Sequence, residues 1–154
     1  MRSATFFGAT IESLLIEKDT LTVPPGASGS FNFDLAFDVD DQGRPVLLPA
    51  RTVASNFASP HSVGLQVVSQ SYDELTRAPD KGYRMDSTLV VSIGQVIAIQ
   101  SFYGTACTSF YQTPVIYGKL VVTDVDPSAR TLTLKYTADP NCGYRSLTSG
   151  VPKD

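Results

Sequence analysis

Phe31-Asn32-Phe33-Asp34-Leu35-Ala36-Phe37-Asp38-Val39 alternates large apolar side chains with small or polar ones along its whole length. Successive side chains of a strand point to opposite faces, so Phe31, Phe33, Leu35, Phe37 and Val39 share one face and the polar groups share the other. Thr131-Leu132-Thr133-Leu134-Lys135-Tyr136-Thr137 repeats the pattern near the other end of the chain. Together the two stretches predict a half-buried antiparallel sheet.

On the C-terminal side of the first stretch, Asp40-Asp41-Gln42-Gly43 is hairpin-turn chemistry. Val46-Leu47-Leu48 then reads as the returning strand, stopped by Pro49, with Val53 extending its edge. On the N-terminal side, Pro24-Pro25-Gly26-Ala27-Ser28-Gly29-Ser30 breaks regular structure, because proline lacks an N–H and glycine relaxes the backbone. Before that break, Leu14 to Ile16 and Thr20 to Val23 read as short strands, although Ile11, Leu14 and Leu15 also fit helical spacing.

Further along, Asn56 to Ser62 reads as loop, and Val63, Leu65 and Val67 recur at strand spacing. Ser71-Tyr72-Asp73-Glu74 has the form of a capping box and predicts a helical turn near 72–77, ended by Ala78-Pro79. Ser87 to Ser101 is β-branched and almost continuously apolar, as in a central strand, with Gly94 dividing it. A last hairpin is expected from about 115–124 and 130–137, turning at Asp124 to Ala129. The expected fold is all-β: an antiparallel sandwich or partly closed barrel of about eight to ten strands with one helical turn.

A chain of 154 residues fits one domain spanning 1–154. Within it, residues 1–23, with Phe6, Phe7 and Ile11, either finish the sheet or form an extended N-terminal arm. Apolar residues make up 42% and charged residues 18%, which suits a packed globule, and no run approaches the roughly 18 apolar residues of a membrane span. A net charge of −3 supplies no basic stripe to neutralise phosphates, so nucleic acid is not the expected partner.

Cys107 and Cys142 lie just outside the two strands of the predicted last hairpin and so emerge at one end of it. A disulfide between them is expected, with two buried thiols as the alternative. A bridge implies an oxidising compartment, whether periplasm, cell surface or outside, and without one the chain reads as cytosolic. No signal peptide is read in this chain, since Glu12 and Glu17-Lys18-Asp19 interrupt any apolar run after Arg2.

Candidate catalytic sets are weak. Asp38 to Gly43 resembles the opening of a calcium loop, but Arg44, Pro45, Val46 and Pro49 occupy its later ligand positions, which favours an ordinary acidic turn. His61, the single histidine, could serve Ser59 or Ser62 as a base, yet no G-x-S-x-G elbow marks either serine. Zinc held by Cys107, Cys142 and His61 lacks close ligand pairs. No metal site and no enzyme are expected. The aromatic residues Phe102, Tyr103, Phe110, Tyr111 and Tyr117 gather around Cys107 and form a candidate partner-binding surface, since such rings bury large areas at little entropic cost.

Phe33-Asp34-Leu35-Ala36-Phe37, Tyr72-Asp73-Glu74-Leu75 with Ala78-Pro79 and Gly82-Tyr83, Val96 to Ser101, and Tyr117-Gly118-Lys119-Leu120 occur in an order that resembles the HmuY-like family of bacterial surface lipoproteins. That resemblance covers residues 31 to 137 and implies an all-β fold and haem capture. Phe33 stands where the family usually has tryptophan. Haem carriers of this kind use two axial His or Met ligands, which here leaves only a His61 and Met85 pair.

The expected function is that of a non-enzymatic, extracytoplasmic β-domain that docks on a protein partner, as an extrinsic subunit bracing a membrane or envelope complex without spanning the membrane. No cofactor is expected under this reading. The alternative is a surface protein binding haem or another flat hydrophobic ligand.

Overall fold

The computed structural model describes residues 2–7, 11–14, 20–23, 34–53, 62–102 and 113–148. Among these residues eleven strands occur in chain order: β1 (Arg2–Phe7), β2 (Ile11–Leu14), β3 (Thr20–Val23), β4 (Leu35–Val39), β5 (Pro45–Pro49), β6 (Ser62–Val68), β7 (Arg84–Met85), β8 (Leu89–Val90), β9 (Val96–Phe102), β10 (Val115–Asp126) and β11 (Thr131–Asp139). One helical turn, α1 (Ala50–Val53), follows β5. The strands form a six-stranded sheet in the order β1-β11-β10-β9-β6-β7 and a five-stranded sheet in the order β3-β2-β4-β5-β8. All pairings are antiparallel, and both sheets are open, which makes the fold a sandwich and not a barrel.

The core forms where the alternation predicts it. Leu35, Phe37 and Leu47 of the smaller sheet pack against Val63, Leu65, Ile97, Ile99, Leu120, Leu132, Leu134 and Tyr136 of the larger one. On β11, Leu132, Leu134 and Tyr136 are buried while Thr131, Thr133 and Lys135 are not, so the period-two reading holds residue by residue. Phe31 and Phe33 lie outside the described residues.

The smaller sheet is less half-buried than its pattern suggests. Ala36, on the face away from the core, is covered by Ala50 of α1. Asp34 is fully enclosed, accepting from Ser101 Oγ of the larger sheet and, through its carbonyl, from the Ala50 amide at 2.9 Å.

The hairpin turn at Asp40 to Gly43 forms as read. Gly43 has φ +75°, a left-handed conformation that suits glycine, and Asp40 Oδ1 accepts from the Gln42 and Arg44 amides at 2.9 Å each. Gly94, at φ +83°, likewise turns the chain between β8 and β9.

The structure corrects two expectations, for Val53 and for the helical turn near 72–77, and refines two others. The all-β expectation of about eight to ten strands holds, with eleven present among the described residues, of which β7 and β8 are only two residues long. Val53 belongs to α1 and not to the edge of β5; Thr52 Oγ1 donates to Pro49 O at 2.7 Å and turns the chain there.

Of the two alternatives for the N-terminus, residues 2–7 finish the larger sheet: β1 pairs with β11 over its whole length. The capping box at 71–74 closes a turn, with Ser71 Oγ donating to Glu74 Oε2 at 2.7 Å and the Leu75 amide donating to Ser71 O at 3.1 Å. No helix follows it. After a local bond from the Thr76 amide to Glu74 O, the backbone pairs sideways: the Ala78 amide with Arg145 O and the Leu147 amide with Thr76 O, both at 2.8 Å.

Candidate functional site

The outward face of the larger sheet carries the candidate site. Side chains directly opposite on antiparallel strands share a face, and the register places Asp139, Tyr117, Gln100, Gly64 and Met85 in one row across β11, β10, β9, β6 and β7. A strap made of residues 71–83 and 144–148 covers part of this face. Leu75, Ala78 and Leu147 from the strap pack on Val96 and Ala98, with Tyr72, Tyr83 and Tyr117 completing the cluster.

Lys119 fastens the strap. Its side chain is buried, and its ammonium donates to Tyr72 O at 2.6 Å and Leu75 O at 2.9 Å while lying 4.4 Å from the centre of the Tyr72 ring. Burial pushes its pKa below the ordinary lysine value, and Asp73 acts in the opposite direction. Burial also raises the Tyr72 phenol, against the hydrogen bond with Thr137, and raises the Tyr83 phenol strongly. The Tyr83 hydroxyl donates to Pro79 O at 3.1 Å, and its ring meets Tyr117 at a centroid distance of 6.4 Å.

Beyond the strap the face opens into a cleft of about 360 Å³ lined by Arg51, Ser62, Met85, Gln100 and Phe102. Ser62 and Phe102 are paired across β6 and β9, as are Gly64 and Gln100. Gly64 leaves room for β7 to lie close. A Cβ at that position would stand 2.6 Å from Met85 Sδ and 2.8 Å from Tyr83 Cβ.

Asp86, at φ +47°, ties the edges of the cleft together. Its carboxylate accepts from the Val63 amide at 2.9 Å and from Ser62 Oγ at 2.8 Å, and Arg51 Nη1 approaches it at 3.5 Å. Gln100 Nε2 donates to Met85 Sδ at 3.1 Å, a weak hydrogen bond at the mouth of the cleft. The walls are therefore a polarizable thioether and an aromatic ring, with an amide, a hydroxyl and a guanidinium at the edges. Such a set recognises apolar groups with a polar fringe.

Phe102 and Met85, read from the sequence for different reasons, meet in this cleft. Tyr117 sits on the same face but belongs to the cluster under the strap. Tyr103, Phe110, Tyr111, His61, Ser59 and Cys107 lie outside the described residues. Cys142 is buried in the main core. The Asp38 to Gly43 turn keeps Asp40 for itself: Arg44 donates to its side chain and holds its carboxyl below the usual value.

Arg51, Gln100 and Asp86 were missed by the sequence reading; Gly64, inside a strand pattern, was the available signal that another segment approaches there. Among the described residues no group of His, Cys, Asp or Glu could hold a metal ion, and no helix is long and apolar enough to cross a membrane. Comparison with protein-family models, with curated proteins and with solved structures finds no match to this chain.

Proposed function

We propose that this sandwich is a non-catalytic docking domain that works outside the cytoplasm, seating an apolar side chain of a protein partner in the cleft beside Met85 and Phe102. The observation that carries the reading is the meeting of these two side chains in an open depression of about 360 Å³. That volume is near the lower end of the roughly 300–1,000 Å³ range of ligand pockets, which suits a single anchoring side chain better than a large flat cofactor. Met85 is 37% exposed, and its flexible thioether can adapt to the shape of an anchor. A Cys107 to Cys142 disulfide belongs to the same proposal, since it would brace the segment between β9 and β10 and requires an oxidising compartment.

The test uses envelope membranes from the source cells and the whole chain. The wild type should retain one defined partner, and Phe102→Ala and Met85→Ala should lose it while keeping the urea-unfolding midpoint of a folded domain. A chain that stays monomeric and partnerless, or a partner retained equally by both variants, overturns the reading. The second reading, capture of haem or a similar flat ligand, rests on Met85 lining the cleft. It expects a Soret shift with haemin that disappears in Met85→Ala and in His61→Ala.

A further inference from the structure

At the far end of the same row, Asp139 closes β11 and lines a separate cavity of about 340 Å³ together with Thr137, Ala138, Pro140, Asn141, Ser146 and Thr148. Asp139 is only 8% exposed. Its Oδ1 accepts from the Asn141 amide at 2.9 Å and from Asn141 Nδ2 at 2.7 Å, which holds the carboxylate in one orientation. Its Oδ2 has no partner among the described residues and is not sealed in the interior. Around it stand hydroxyls: Ser146 Oγ and Thr148 Oγ1 lie 3.2 Å apart, and Thr137 Oγ1 meets the Tyr72 hydroxyl at 2.7 Å.

Among the described residues no cation forms an ion pair with Asp139. Lys119, opposite Thr137 in the register, gives its ammonium to Tyr72 O and Leu75 O, and Arg145 Nε donates to Ala78 O at 2.7 Å. A carboxylate oxygen that faces a cavity without an ion-pair partner can accept a charged donor there. The geometry points to a site for a primary ammonium group, with Asp139 Oδ2 as the charged acceptor and the Ser146 and Thr148 hydroxyls and the neighbouring carbonyls as further acceptors. Asp139 and Gln100 are two strands apart in one row, about 10 Å at the usual strand spacing, so the site lies on the same face as the apolar cleft. Its residues are distinct from those of the cleft, so the two proposals can fail separately. The ammonium can belong to a lysine of a docked protein or to a free amine.

The test is a titration of the folded chain, followed by amide NMR, with three probes: N-acetyl-lysine methylamide, the same compound acetylated on Nε, and putrescine. The site predicts saturable shifts confined to residues 137–141 and 146–148 with an amine, and none with the acetylated probe. Asp139→Asn keeps the acceptor for the Asn141 amide and should weaken binding at least about tenfold. Thr148→Val, an exposed change that leaves Asp139 in place, should weaken it less. Response to the blocked lysine assigns the site to a partner side chain, and response to putrescine alone assigns it to a free amine. Shifts that never saturate, an equal response to the acetylated probe, or unchanged affinity in a folded Asp139→Asn protein would overturn the inference.

Discussion

Gly64→Ala tests how closely β7 is laid on the larger sheet. Alanine in place of a strand glycine should by itself add up to about 1 kcal/mol by restricting the unfolded chain. Here the added methyl would stand 2.6 Å from Met85 Sδ, 2.8 Å from Tyr83 Cβ and 3.0 Å from Gln100 Cγ. The sulfur is the far end of a flexible side chain and can swing away, at the expense of its hydrogen bond from Gln100. Tyr83 Cβ cannot, because it moves only with its backbone.

Overpacking of this kind costs about 1–3 kcal/mol, so the net effect is a loss of about 1–2 kcal/mol. With a urea slope of about 2 kcal/mol per molar, the unfolding midpoint should fall by roughly 0.5–1 M with no change in slope. In Gly64→Ala with Met85→Ala the sulfur contact is gone and the Tyr83 contact remains, so any Gly64 penalty measured in that background should be smaller but not zero. An unchanged or raised midpoint in the single variant would show that β7 shifts freely, and the account of the cleft wall would fall with it.

Leu134→Ala empties a site fully buried between the sheets and should cost about 2–5 kcal/mol by denaturant unfolding; a loss under about 1 kcal/mol would contradict its place in the core. Lys119→Met keeps the length of the side chain but leaves Tyr72 O and Leu75 O without their donor. It should cost about 1–3 kcal/mol and speed hydrogen exchange at residues 75–78 more than in β11, whereas uniform acceleration would argue against a local fastening role.

Burial raises the Tyr83 phenol, so above pH 10 the unfolded chain releases a proton that the folded chain keeps, and stability falls as pH rises through that region. Tyr72 acts in the same sense, while the lowered Lys119 value opposes both, because the unfolded chain then holds the extra proton up to about pH 10.5. Tyr83→Phe should flatten the alkaline decline of the urea midpoint, and an equally steep decline would refute the assignment. Finally, alkylation of the unfolded, unreduced chain should leave both cysteines unmodified, and reduction should cost about 4 kcal/mol; two alkylated cysteines before reduction would exclude the bridge.

The capping box shows where a local signal stops being enough. Ser71 and Glu74 form the hydrogen bonds that their spacing predicts, yet the chain beyond them is not helical. Its backbone groups find better partners in residues 145–147, nearly half the chain away, and no pattern within 71–78 could announce that. Val53 failed for a related reason: the turn after β5 is held by Asp34 O, which lies just before β4 and accepts from the Ala50 amide.

What the sequence by itself determined is the class of fold and the faces of its strands. Alternation in 35–39 and 131–137, and turn chemistry at Asp40 to Gly43 and Gly94, act over a few residues, and burial of one face of each strand follows from them. The tertiary structure alone decided the candidate sites. Asp139, Tyr117, Gln100, Gly64 and Met85 share a row only because five strands are paired in one particular register, and a slip of one residue in any pair would turn part of that row into the core. Lys119 lies on an otherwise ordinary strand, and its burial comes from the strap that folds over it from residues 71–83, whereas the cavity at Asp139 forms where the chain after β11 turns back over the end of that strand.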